Sequence, residues 1–187
     1  QLIEYDQRLY KDALTGVYNR RYFEEQIKKK NENAGVAVID MDDFKLCNDT
    51  LGHSAGDAAL RTMVKTVKHC IRKTDILIRY GGDEFILILQ NIKKENFFNK
   101  LVQIQSDIHA ANVPGFPKLQ LSVSIGGVMS SKETVEHAVM QADKLMYQAK
   151  EHKNMVVTED NASYVIPGVA NSKARQQILI VDDSEMN

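Results

Sequence analysis

Arg79-Tyr80-Gly81-Gly82-Asp83-Glu84-Phe85 joins two apolar runs, Ile76-Leu77-Ile78 and Phe85-Ile86-Leu87-Ile88-Leu89. Apolar runs of strand length on either side of Gly-Gly predict a β-hairpin, with glycine supplying positive φ in the turn free of a Cβ clash. Asp83 and Glu84 then fall just past the turn, at the rim of a sheet. Two acids crowded at such a rim point to a cation to be held or a proton to be taken.

Working outward, Val36-Ala37-Val38-Ile39 is a second buried strand, ending at Asp40. Upstream, residues 1–11 read as the end of an entering helix, with Leu2, Ile3, Leu9 and Tyr10 apolar. Asn19 is placed to cap a helix carrying Tyr22, Phe23 and Ile27. Leu60, Val64, Val67 and Ile71 form one stripe of a helix from about Asp57 to Lys73, and Phe97, Leu101, Ile104 and Ile108 mark another. Alternation of Leu119, Leu121, Val123 and Ile125 with Gln120, Ser122 and Ser124 predicts a half-buried strand. Ser130 with Glu133 forms a candidate capping box for a helix whose inner face runs from Val135 through Met146 to Ala149. Met155-Val156-Val157 closes the set as a strand. This order predicts an α/β fold of the α+β sandwich type, with helices around a central, mostly antiparallel five-stranded sheet.

The chain has 187 residues, enough for one domain with extensions. Lys and Arg total 24 and Asp and Glu 25, so the net charge of -1 argues against a general nucleic-acid or membrane-surface role. An anionic ligand must be held by local groups. Cys47 and Cys70 form no CxxC pair, and no zinc spacing, P-loop or GxGxxG is present. No apolar run approaches the roughly 20 residues of a membrane span, and no signal peptide opens the sequence. A cytoplasmic location without membrane contact is the expectation.

Asp40 begins an acidic run, Asp40-Met41-Asp42-Asp43-Phe44-Lys45. Hard oxygen ligands suit Mg²⁺, which takes one or two carboxylates together with substrate phosphates and water. Asp40 and Asp83 come from strands that can be neighbours, whereas Asp42, Asp43 or Asp49 alone reads equally well as a turn or cap residue. The order continues as Asn48-Asp49, Gly52-His53 and Gly56-Asp57. Asp12, Leu14-Thr15-Gly16 and Asn19-Arg20-Arg21 lie upstream, and Ala142-Asp143, Met146-Tyr147 and Ala149-Lys150 lie downstream. This ordered set resembles the GGDEF family of diguanylate cyclases, named after residues 81–85, over residues 12 to 156.

The resemblance implies a fold similar to the nucleotidyl cyclase and polymerase-palm architecture, with residues 12–157 as the GGDEF domain. It implies synthesis of cyclic di-GMP from two GTP, with release of two pyrophosphates, by metal-assisted attack of a ribose 3′-hydroxyl on an α-phosphate in a homodimer. Asp40, Asp83 and the Met41 carbonyl would hold Mg²⁺ or Mn²⁺, two ions per site. Glu84 would be metal-associated or a general base. Asn48 and Asp57 would read guanine, and Lys45, Lys150 and the main-chain N–H groups of Asp43 and Phe44 would hold phosphates. The family's closing helix ends in Ala-Lys, two residues, then Gly, a basic residue and Asn. Lys150-Glu151-His152-Lys153-Asn154 lacks the glycine and is one residue shorter, with Lys153 as the candidate second basic group.

Arg72 and Asp75 form an RxxD spacing that resembles the family's inhibitory site for bound product. Two rival readings are a catalytically idle cyclic di-GMP sensor and a synthase of mixed cyclic dinucleotides. Residues 158–177, polar and containing Pro167 and Gly168, read as a linker. Residues 178–187, Ile178-Leu179-Ile180-Val181-Asp182-Asp183-Ser184-Glu185-Met186-Asn187, resemble the start of a response-regulator receiver domain, which implies regulatory domains in the parent chain.

Overall fold

The structure, a computed structural model, describes residues 8–164. Most of the expected entering helix and the whole receiver-like tail lie outside the described residues. Residues 8–10 are helical. There follow β1 (Tyr18–Asn19), α1 (Arg20–Tyr22) running into a π-helical turn (Phe23–Ile27), β2 (Ala34–Met41), α2 (Phe44–Leu51) and α3 (His53–Cys70). Next come β3 (Ile76–Arg79), β4 (Glu84–Gln90), α4 (Lys94–Ala110), β5 (Val123–Ser130), α5 (Val135–His152), β6 (Met155–Thr158) and β7 (Ala162–Tyr164).

The strands form one sheet in the order β1-β3-β4-β2-β5-β6-β7, and four of its six pairings are antiparallel. The expected five strands are seven. The two additions are a two-residue strand, too short to carry a period, and a strand inside the stretch expected to open the linker. The period of two divides the core cleanly. Ala37, Ile39, Phe85, Leu87 and Leu89 face α3 and α4, while Val36, Val38, Ile86 and Ile88 face α5 and the π-helical turn. Asp40 and Glu84 continue the second series, so parity alone places them on the α5 face.

Several expected boundaries move. The helix expected from about residue 57 begins at His53, and α2 precedes it, the two meeting at Gly52 with φ 89°. That left-handed joint is what glycine permits. The strand expected over 119–125 is β5, and it is buried on both faces rather than half-buried. Pairing with β2 begins only where Met41 meets Val123. Gly126 and Gly127 continue β5 because helices crowd the sheet there. A Cβ on Gly126 would lie 2.1 Å from the Ala142 carbonyl oxygen, and one on Gly127 would lie 2.6 Å from Leu101. Ser130 ends β5, and the cap of α5 is Thr134, whose side chain accepts from the His137 N–H at 3.3 Å.

The hairpin is present, with Arg79 opposite Phe85, but its glycines act otherwise than expected. Neither Gly81 nor Gly82 has positive φ. The Tyr80 and Gly81 N–H groups both donate to the Glu84 carbonyl, at 2.8 and 3.1 Å, and a Cβ on Gly82 would meet nothing within 4 Å. The glycines leave bare backbone at the sheet rim.

Candidate active site

Antiparallel pairing sets Asp40 directly opposite Glu84, and the Met41 N–H donates to the Asp83 carbonyl at 3.2 Å. Asp40, Asp83 and Glu84 are thereby gathered at one rim. The Asp40 side chain is 14% exposed, and its Oδ1 lies 3.0 Å from Lys150 Nζ. The contact lacks hydrogen-bond geometry, so this buried Oδ1 has no hydrogen-bond partner. Burial pushes the Asp40 carboxyl up to about 6; Lys150 opposes the rise and Asp83 adds to it. Burial likewise pushes Glu84 up to about 7, reinforced by Asp143, Asp40 and Asp83. Asp143, on α5, is itself pushed up by burial, with Glu84 opposing the rise.

The Lys150 ammonium offsets part of the cost of burying that oxygen, and a hard divalent cation would supply the rest. Among the described residues no group of three His, Cys, Asp or Glu side chains is placed to hold a metal ion, so Mg²⁺ or Mn²⁺ would need water and substrate phosphate to complete its shell here. The oxygen set at this rim fits such an ion.

Asn48 on α2 lies against α3 where Gly56 gives it room: a Cβ there would be 1.9 Å from Asn48 Oδ1. Asp57 is the residue after Gly56 on α3. Phe44 opens α2 and packs against the core, and Lys45 is exposed. Asp43 has φ 55° and makes no capping bond to α2; its carboxylate pairs with Lys153 Nζ at 2.8 and 3.0 Å.

Asp42 is a structural brace. Its carboxylate accepts from Ser122 Oγ at 2.5 Å, Ser124 Oγ at 2.6 Å and the Asn154 N–H at 2.8 Å. It ties the β2–α2 loop to β5 and to the α5–β6 turn. The shortened end of α5 fits by placing Lys153 and Asn154 at positive φ, 59° and 51°.

Sequence reasoning gave no role to three residues here. Asp143 stands seven positions before Lys150, so both lie on the same face of α5. Asp12 accepts from Thr15 and from Arg79 NH1 at 3.2 Å, and Arg79 Nε and NH2 donate to the Gly82 carbonyl at 3.1 and 2.8 Å. This pair ties the N-terminal segment to the glycine turn.

Arg72 and Asp75 lie at the other end of the hairpin. Asp75 Oδ2 accepts from the Arg72 N–H at 2.8 Å and Oδ1 from the Gln90 N–H at 2.9 Å. Its side chain is 3% exposed, against 62% for Arg72, whose NH2 also donates to the Gln90 carbonyl. A cleft of about 300 Å³ opens beside them, with Lys11, Tyr18, Lys68, Arg72 and Lys73 in its walls.

Residues 9–155 match the family model described as "Diguanylate cyclase, GGDEF domain". The probable diguanylate cyclase DgcC of Escherichia coli is 29% identical over 163 residues, covering 80% of this chain and 44% of the relative. Diguanylate cyclase DgcS of Shewanella oneidensis is 36% identical over 149 residues, covering 74% of this chain and 49% of the relative. This chain therefore spans about half the length of those curated relatives. Among solved structures, diguanylate cyclase SiaD of Pseudomonas aeruginosa, in complex with its activator SiaC, superimposes with a TM-score of 0.75 at 28% identity, covering 84% of this chain and 64% of that one. The GGDEF domain of DgcB from Caulobacter crescentus, in complex with c-di-GMP, gives 0.71 at 25% identity, covering 80% and 95%.

Proposed function

This chain belongs to the GGDEF family of diguanylate cyclases, and we propose that it condenses two GTP into cyclic di-GMP with release of two pyrophosphates. The observation that carries this reading is the buried Asp40 oxygen without a hydrogen bond, facing Glu84 across the β2–β4 pairing. Asp40, Asp83 and the Met41 carbonyl would hold two Mg²⁺ or Mn²⁺ ions, with Glu84 beside them. When bound, the ions offset triphosphate charge and acidify the attacking hydroxyl.

The chain's own groups do the rest. A 3′-oxygen bonds to the α-phosphorus of the other GTP as the bond from that phosphorus to the pyrophosphate oxygen breaks. Glu84, raised to about 7, is suited to take the hydroxyl proton near neutrality. The Asp57 carboxylate accepts from the N1–H and N2–H₂ donors of guanine, a pair that adenine lacks, which favours GTP over a mixed product. Asn48 completes that edge. Lys45, Lys150 and Lys153 hold phosphates, and the Asp43 and Phe44 N–H groups add donors where α2 has no side-chain cap. Each domain presents one GTP, so the active unit is a two-fold dimer.

Product would inhibit through the basic cleft. Because Asp75 is engaged by backbone N–H groups, recognition there falls to Arg72 with Lys11, Lys68 and Lys73. A receptor that only bound product would have no use for the destabilised acids at the opposite rim.

The test is incubation of concentrated protein with GTP and Mg²⁺, with chromatography of the products. Cyclic di-GMP formed at a rate rising with the square of protein concentration is expected. No product, with tight cyclic di-GMP binding and no GTP binding, would make the domain a sensor instead.

A further inference from the structure

Three residues near the mouth of the site adopt backbone conformations that non-glycine residues seldom hold: Asp43 at φ 55°, Lys153 at φ 59° and ψ 157°, and Asn154 at φ 51°. Such conformations persist only where the surroundings enforce them. Here the Lys153 N–H donates to the Ala149 carbonyl at 3.0 Å and the Asn154 N–H to Asp42 at 2.8 Å. The Asn154 side-chain oxygen accepts from Gln105 at 2.5 Å. The pinned turn directs the Lys153 ammonium onto both oxygens of Asp43.

We infer that Asp43 is a stand-in for the outermost phosphate of the substrate: it holds Lys153 before the nucleotide arrives, and the terminal phosphate displaces it. This rests on the cyclase reading of the same site. The two lysines are graded in depth. Lys150 reaches the half-buried Asp40 with its own side chain 31% exposed, while Lys153 and Asp43 are 56% and 51% exposed. A triphosphate whose α-phosphate reacts at Asp40 extends outward, so the outer lysine meets the last phosphate. An exposed ion pair is weak and exchanges readily for a more highly charged anion. When pyrophosphate leaves, Asp43 recaptures Lys153. Asp43 therefore weakens triphosphate binding and speeds pyrophosphate release, and a diphosphate ends too soon to open the pair.

The test compares GTP and GDP binding, each with Mg²⁺, by calorimetry on the full chain. Asp43→Asn removes the charge and keeps a residue that tolerates left-handed φ. It should tighten GTP about threefold and leave GDP within about 1.5-fold, as expected for the loss of one exposed competing charge. Lys153→Met should weaken GTP and abolish the gain from Asp43→Asn when the two are combined. Asp43→Gly, which also suits φ 55°, repeats the experiment should the Asn variant fail to fold. Unchanged or weaker GTP binding, equal tightening of GDP, or a gain that survives Lys153→Met would overturn the stand-in role. If the wild-type chain nonetheless converts GTP to cyclic di-GMP, only this inference falls. If it binds no GTP, the cyclase reading falls with it.

Discussion

Asp40, in β2, and Asp75, in the bend before β3, sit at opposite ends of the same group of central strands, each beside a basic side chain, yet their chemistry diverges. Asp75 is almost fully buried, and both its oxygens accept backbone N–H groups that close the end of β4. Asp40 is half-buried, and its enclosed oxygen faces the Lys150 ammonium without a hydrogen bond, while burial pushes its carboxyl up to about 6. Hydrogen-bond satisfaction, more than burial or charge, separates them. A buried carboxylate with its bonds made stabilises the fold, whereas one left short costs stability until a ligand completes it.

The strongest way to break this contrast is at the unsatisfied end. Asp83→Ala and Glu84→Ala should each lower cyclic di-GMP synthesis about a thousandfold, with the far-ultraviolet circular dichroism unchanged. Full activity in either would remove that residue from the mechanism. Next, Asp75→Ala strands the Arg72 and Gln90 N–H groups and should cost about 2–3 kcal/mol in denaturant unfolding. Asp40→Ala should cost nothing or stabilise the apoprotein. Equal losses would erase the distinction.

Arg72→Ala should raise the cyclic di-GMP concentration needed for half-inhibition about tenfold, since a guanidinium–phosphate bond is charge-assisted. Inhibition kinetics at unchanged potency would move the product site elsewhere.

The smallest effect is a pH dependence. Asp40 and Glu84 rise from 3.8 and 4.5 to about 6 and about 7 on folding. Between those values the folded chain binds protons that the unfolded chain does not. Metal-free stability should therefore fall as pH rises from about 4.5 to 7. Glu84→Gln should flatten that decline and raise the melting temperature at pH 8 by about 2–4 °C. Wild-type stability that climbed with pH over this interval, followed by thermal melting, would contradict the destabilised acids.

Much of this was legible in the sequence because the inner strands and long helices carry their periods openly. Asp40 and Glu84 share a face by parity, and Asp143 and Lys150 share one by helical spacing, although the motif that contains Asp143 assigns it no role. What stayed hidden depends on tertiary contact. Gly126-Gly127 resembles a strand break, yet β5 runs through it because α5 and α4 press against bare backbone. Gly81-Gly82 suggests a positive-φ turn, yet the Glu84 carbonyl closes it by accepting two N–H groups. Asp42 resembles another ligand, and only the nearness of Ser122, Ser124 and Asn154, far along the chain, turns it into a brace.

Helix α5 rests on Gly126 with peptide against peptide, as the Ala142 carbonyl and the Met146 N–H lie where a side chain would begin. No compressible layer separates helix from sheet at that point. The contact works as a hard stop: α5 cannot sink closer to the sheet. Asp143 and Lys150 ride on the same rod, so any displacement of α5 carries the carboxyl that acts on Glu84 and the ammonium beside Asp40 together. Gly126→Ala would act as a shim, lifting both from their partners at once without altering any group that performs the chemistry.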